Sequence, residues 1–294
     1  MTPRLSPAFE AYIRPARGYP QLWRLALGCG VIVLTYLGLL VAIISAAGAL
    51  AGSEAMMRTA AEAETPAGTL VLLATFLGMA VGPMLAAWLL HARAPSTLFG
   101  HAPRVLRHFA AAAALSAAIY LPPLAAWFWA FDAVPRLDPA LWLTLLPLGL
   151  AGLALQTGAE ELVFRGYLQQ QLAARFRSPI AWMILPSLVF GVVHFDPNTA
   201  GSNAALYAAA TAVFALAAAD LTARTGSLGA AWGLHFANNV FAVLIVAVDG
   251  TLPGLALYTT PYSADDTGTL RLLIAGDIAV LVLAWAALRR TLGR

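Results

Sequence analysis

The sequence predicts an all-α fold: a polytopic membrane helix bundle of about eight transmembrane helices with both termini on the cytoplasmic side. Three observations predict it. Of the 294 residues, 61% are hydrophobic and only 11% are charged, with a mean hydropathy of +0.77. Apolar runs of about 18 residues or more recur along the chain, the length at which a segment can cross a bilayer as a helix. The arginines are sorted to alternate connections between those runs, as topology in a membrane requires.

The runs fall at residues 22–49, 67–90, 106–131, 140–168, 180–195, 203–223, 227–248 and 270–288. The first follows a long basic leader. It ends in Ser45-Ala46-Ala47-Gly48-Ala49-Leu50-Ala51, which superficially resembles a signal-peptidase site. An apolar stretch well beyond ~15 residues favours an uncleaved anchor instead. Cys29, the only cysteine, fills space in this helix and leaves no internal disulfide. Gly78-xxx-Gly82 in the second run and Gly229-xxx-Gly233 in the seventh have the spacing of close helix packing. The fourth run is unusually long, and the fifth is short and bounded by Pro179 and Pro197. Pro83, Pro122, Pro123, Pro147 and Pro186 are expected to kink their helices. Connections are too short for an extramembrane domain, and there is no internal repeat. The chain divides into a basic N-terminal segment (1–21), three helices (22–139), a core (140–250), and an outer loop with the last helix and a basic tail (251–294).

The chain has no lysine, so arginine sets the orientation. Arg4, Arg14, Arg17, Arg24, Arg93, Arg104, Arg107, Arg165, Arg175, Arg177, Arg224, Arg289, Arg290 and Arg294 fall on one side, leaving Arg58, Arg136 and Arg271 for the other. The opposite connections carry Glu54, Glu62, Glu64, Asp132, Asp138, Asp196, Asp249, Asp265 and Asp266. The positive-inside rule puts the arginine-rich side, with both termini, in the cytoplasm. The net charge of +3 therefore reports membrane orientation; no basic patch interleaved with exposed aromatics suggests a nucleic-acid partner. The implied partner is the lipid bilayer, and the Ala/Gly-rich, all-arginine composition points to a bacterial cytoplasmic membrane. His91, His101 and His108 lie in or beside the arginine-bearing connection and are expected to be solvated.

Polar residues recur in only a few apolar contexts: Glu160-Glu161 with Arg165, Phe190 with His194, His235 with Asn239, and Asp277. Ionisable groups at membrane depth are costly and mark functional sites by default. Positions four apart share a helix face, so Glu161 aligns with Arg165, Phe190 with His194 and His235 with Asn239. Glu160 lies ~100° round the helix and is free to face something else. With a rise of ~1.5 Å per residue, the Glu pair lies roughly 10–14 Å and His235 about 12 Å from the cytoplasmic boundary. His194, counted from Ile180, lies nearer ~21 Å, a poor match unless the fifth helix tilts or kinks at Pro186. The chemistry such groups suit is hydrolysis. A carboxylate serves as general base toward water, a histidine shares that water, and an amide donates to the oxyanion formed at a peptide carbonyl.

The three motifs, in this order and spacing and with Phe164-Arg165-Gly166-Tyr167 beside the first, resemble the signature of the CAAX prenyl protease and bacteriocin-processing family of intramembrane proteases. The resemblance covers roughly residues 140–250. It implies Glu160 as the water-activating residue with His194 as its partner, and Glu161 as the second carboxylate, paired with Arg165. It further implies that His235 and Asn239 position the water or stabilise the oxyanion. It leaves a metal-free glutamate mechanism and a divalent metal such as zinc both open; zinc would be held by Glu160, His194 and His235, a His₂Glu set. The implied substrate is a membrane-associated or lipidated peptide or protein. Two other classes compete. A proton- or ion-coupled transporter would use the carboxylates as a relay, but inverted repeats and a trail of acidic residues are missing. A catalytically silent scaffold of the same fold would have no need of a complete polar set. Asp277 reads as an outer-leaflet hydrogen bond or partner contact rather than a catalytic group.

Overall fold

The structure, a computed structural model, describes residues 5–51 and 63–292. Arg4, Glu54, Arg58, Glu62 and Arg294, used above for orientation, lie outside the described residues. A short amphipathic helix, α1 (Pro7–Ile13), precedes the long apolar helices α2 (Leu22–Ala51), α3 (Pro66–His91) and α4 (Ala102–Ala130). After the two-residue strand β1 (Val134–Pro135) comes α5 (Pro139–Arg175), then α6 (Ile180–Val192), α7 (Ala204–Thr225) and α8 (Gly229–Ile245). Strands β2 (Val246–Asp249) and β3 (Tyr258–Ser263) lead to α9 (Thr269–Leu292).

Six of these helices are long and apolar enough to cross a membrane, and α6 and α8 are shorter apolar helices. Among the described residues, six of the expected runs thus form helices of membrane-spanning length and the fifth and seventh form shorter ones, in an all-α polytopic bundle. α5 and α8 pack together at its centre, with α3 behind α5, α4 behind α8, and α7 between α8 and the pair α6 and α9. Both Gly-xxx-Gly pairs sit where helix backbones touch. A Cβ on Gly78 or Gly82 would come within 3 Å of a Cα in α2, and one on Gly229 or Gly233 within 2.3 Å of a carbonyl oxygen in α4.

The first and last described segments lie at one end of the bundle. Ser6 Oγ donates to the carbonyl of Ala223 near the end of α7, while Arg289 of α9 pairs with Asp220 of the same helix. The connections holding Arg93 and Ser227 join them there, through a bridge between Gly100 and Ser227.

Three expectations need correction. The seventh run is not helical to residue 248: Val246-Ala247-Val248 is β-branched and alternating, and it leaves the helix to pair in parallel with β3, which pairs antiparallel with β1. The far end of the bundle is thus capped by a small three-stranded sheet. The fourth run continues to Arg175, since Gln169, Gln170 and Gln171 bond to neighbouring elements instead of meeting solvent. His91 and His108 are buried, not solvated. His91 Nδ1 donates to the Tyr19 carbonyl and Nε2 accepts from the Tyr167 hydroxyl, and His108 Nδ1 lies 3.3 Å from Ser227 Oγ.

A buried candidate site of two glutamates, a histidine, an arginine and two amides

The polar residues of α5 occupy its inner face over the last turns before Glu161. From Leu162 to Gln169 the helix is π-wound, directly after the Glu pair, and α8 is π-wound from Val240, directly after Asn239. Such bulges, common at functional sites, re-aim the side chains on either flank. Gly158 lets α8 approach: the Trp232 indole lies 3.0 Å from where a Cβ would stand, and its Nε1 donates to the Ala154 carbonyl.

Glu161 is fully buried. Its Oε1 accepts from Arg165 Nη1 at 3.1 Å and from His235 Nδ1 at 2.8 Å. The i, i+4 pairing expected from the sequence is therefore present, with both charged groups almost out of contact with solvent. Arg165 spends a second nitrogen on the Ala215 carbonyl of α7 at 3.2 Å, and its guanidinium lies 4.9 Å from the Phe190 ring centre. An arginine with carboxylate, carbonyl and aromatic partners meets the conditions under which a buried charge is tolerated.

Because Glu161 is acceptor-only when ionised, the short contact makes His235 Nδ1 the donor, and a neutral ring then leaves Nε2 as an acceptor. The other nitrogen, Nε2, then faces Glu160 Oε2 at 3.4 Å. Two acceptors that face each other do not bond; they define a place where a donor with two hydrogens is held. Glu160 Oε2 is buried without a hydrogen-bond partner among the described residues.

Glu160 Oε1 accepts from Gln156 Nε2 at 2.8 Å, and Gln156 Oε1 accepts from Asn239 Nδ2 at 2.8 Å. Arg165, Glu161 and His235 thus form one hydrogen-bonded run and Glu160, Gln156 and Asn239 another, and the two meet across the 3.4 Å between His235 Nε2 and Glu160 Oε2. Gln156 was missed by the sequence reading. The signal was there: it is the residue four before Glu160, at the end of an apolar run.

His194 is brought into neither run. It sits in the turn after α6, exposed, with Nδ1 donating to the Phe190 carbonyl at 2.7 Å. The reason is arithmetic. α6 starts at the end of the bundle where α5 finishes, and His194 is too far along it to lie level with the Glu pair. Phe190, one turn earlier, takes that level. Its ring is buried 4.7 Å from Phe164 and 6.2 Å from His235, and the tilted His194 ring lies 4.6 Å from it. The Glu160, His194 and His235 set expected to hold a divalent metal does not converge. Among the described residues no three His, Cys, Asp or Glu side chains are grouped to hold one. This donor set does not fit zinc.

Toward the arginine-rich end, the Tyr12 hydroxyl donates to the Leu98 carbonyl at 2.7 Å and reaches the Arg165 carbonyl at 3.3 Å, tying α1 to the helix that carries the site. Arg93 bonds the Gln170 and Gln171 amide oxygens, and its burial brings the guanidinium down to about 10 from its ordinary value, opposed by Tyr12 and Tyr167.

A bundle of long apolar helices with two glutamates, a histidine and an arginine buried at its centre is that of an integral, multi-pass membrane protein. Residues 136–241, which include every residue of this site, match the family model described as type II CAAX prenyl endopeptidase Rce1-like. The chain is also similar to a Bacillus subtilis (strain 168) protein carried as "Uncharacterized protein YyaK", 33% identical over 120 residues. That similarity spans 39% of this chain and 40% of the relative's length. No solved structure matches.

Proposed function

We propose that this protein is an intramembrane endopeptidase of a bacterial cytoplasmic membrane, hydrolysing a peptide bond of a membrane-associated or lipidated substrate. The observation that supports it most is the facing pair of acceptors, Glu160 Oε2 and His235 Nε2, 3.4 Å apart inside the bundle. A water molecule that donates to both is oriented with its lone pair outward. As that oxygen attacks the substrate carbonyl carbon, Glu160 accepts the water proton and the carbonyl π pair moves onto oxygen. The second N–H of the Asn239 amide donates to that oxyanion. On collapse, the C–N bond breaks and Glu160 returns its proton to the leaving amine, so the carboxylate ends as it began. Arg165 and Glu161 take no part in bond changes; they hold the His235 ring in one tautomer and orientation, as a carboxylate does for a catalytic histidine elsewhere. The Rce1-like match supports a prenylated C-terminal peptide as the first substrate to try.

Purified protein in detergent is expected to cleave a fluorogenic peptide ending in a prenylated cysteine motif, and Glu160→Ala is expected to abolish the signal. Undiminished cleavage by a folded Glu160→Ala protein would remove the mechanism.

A further inference from the structure

α9 buries Leu270, Ile274, Leu281, Ala284 and Leu288. Those positions are spaced by three and four residues, with one member missing between Ile274 and Leu281. The missing member is Asp277. It falls on the packed stripe, three residues after Ile274 and four before Leu281, yet it is exposed where the others are not. The contact between α9 and its neighbours therefore opens at Asp277, and beside it Gly276 faces open space.

The helices on either side are identifiable. α7 runs alongside α9 in register, since Arg271 Nε donates to Asn203 Oδ1 at 2.8 Å and Trp285 Nε1 to Asp220 Oδ2 at 2.9 Å. Asp277 is then level with the stretch of α7 between Tyr207 and Thr211. α4 packs on the other side and presents Tyr120, 8% exposed. Tyr120 and Tyr207 both bury their hydroxyls with no hydrogen-bond partner among the described residues. Two turns along α4, Trp127 donates to the Tyr262 hydroxyl of β3 at 2.7 Å. Asp277 itself has no ion pair among the described residues, and Arg271, the nearest arginine on α9, is engaged with Asn203 and Ser202.

We propose that Asp277, Tyr120 and Tyr207 form a second polar site, which receives the ammonium or guanidinium group of a basic residue on a membrane-embedded partner segment. One carboxylate supplies a single negative charge, too little for a calcium or magnesium ion, which gathers several hard oxygen ligands. Phenol hydroxyls and aromatic faces around one carboxylate suit an organic cation, bound by charge and by the ring quadrupole. Depth selects the source. Asp277 is eight residues into α9, ~12 Å from its outer end, below the lipid headgroups but within reach of a lysine or arginine on a spanning helix. A carboxylate at that depth is costly alone, and a basic partner residue removes the cost for both. The site is separate from the Glu160 chain, and its assignment does not depend on peptide hydrolysis.

The test is binding of a synthetic leucine-rich transmembrane peptide with one lysine at the matching depth, read by energy transfer to the labelled full-length protein in phosphatidylcholine nanodiscs. The all-leucine peptide is the control. The lysine peptide is expected to bind about tenfold tighter or more, a difference of the size one buried charge-assisted contact supplies. Asp277→Asn is expected to erase that preference, and Tyr120→Phe, which keeps the ring, to reduce it severalfold. Equal binding of the two peptides to the wild type overturns the proposal, as does a preference that survives Asp277→Asn. If Asp277→Asn does not fold, an unreduced preference in Tyr120→Phe overturns it. Loss of the preference when phosphatidylethanolamine is added overturns the partner-segment assignment in favour of a lipid amine.

Discussion

At the scale of single residues, the site is a set of buried charges that are tolerated only together. Arg165 and Glu161 are 2% and 0% exposed, so removing one leaves the other desolvated and unpaired. Arg165→Met is expected to lower stability by ~3–5 kcal/mol, measured by chemical unfolding in detergent. The double variant Arg165→Met/Glu161→Gln is expected to recover a large part, because the orphaned charge is gone. Gln156 is a different case, since it is neutral and bonds at both ends to groups of the chain. Gln156→Leu is expected to lower kcat by roughly 10–100-fold with KM little changed, because it frees Glu160 and Asn239 from their places and removes nothing that meets substrate outside the chain. His194 is exposed, and its ring lies beside Phe190. His194→Ala is expected to shift stability by less than ~0.5 kcal/mol in the same unfolding experiment.

At the scale of elements, the helices were legible because a bilayer-spanning segment must be apolar for its whole length, and the eight apolar runs fall on the eight apolar helices. Within α5 and α8, four-residue spacing was enough to pair Glu161 with Arg165, because both lie on one turn of one helix. What the spacing could not give was the relation between helices. Depth counting matched the Glu pair to His235, which are in contact, and flagged His194 as too deep, and it is indeed outside the chain. Gln156 was overlooked because an amide in an apolar helix carries no charge to draw notice. The β-structure was overlooked because Val246-Ala247-Val248 is as apolar as the helix before it. Glycine marks the close contacts: Gly233→Val is expected to destabilise the α4–α8 contact strongly, since the new Cβ would stand 2.3 Å from the Phe109 carbonyl oxygen. A drop in the thermal midpoint of the purified protein would register it, whereas Gly276→Ala, which meets nothing within 4 Å, is expected to leave it nearly unchanged.

At the scale of the whole molecule, the arginine-rich connections and the first and last described segments gather at one end of the bundle, and the small sheet caps the other. The positive-inside reading assigns the first end to the cytoplasm. In a Cys29→Ser background, a cysteine placed at Asp265 is expected to react with a membrane-impermeant maleimide from outside intact cells, while one at Ser178 reacts only after permeabilisation. The opposite pattern would invert the topology. The buried polar groups of α5 and α8 meet at the centre of the bundle, so a single isosteric change tests the account at its centre. Glu160→Gln keeps the size of the side chain and its bond from Gln156 but removes the base. The decisive measurement is the rate of peptide cleavage by purified Glu160→Gln beside the wild type, with equal thermal midpoints. The account predicts a loss of at least ~1,000-fold; a folded variant that retains cleavage within about tenfold of the wild type would contradict it.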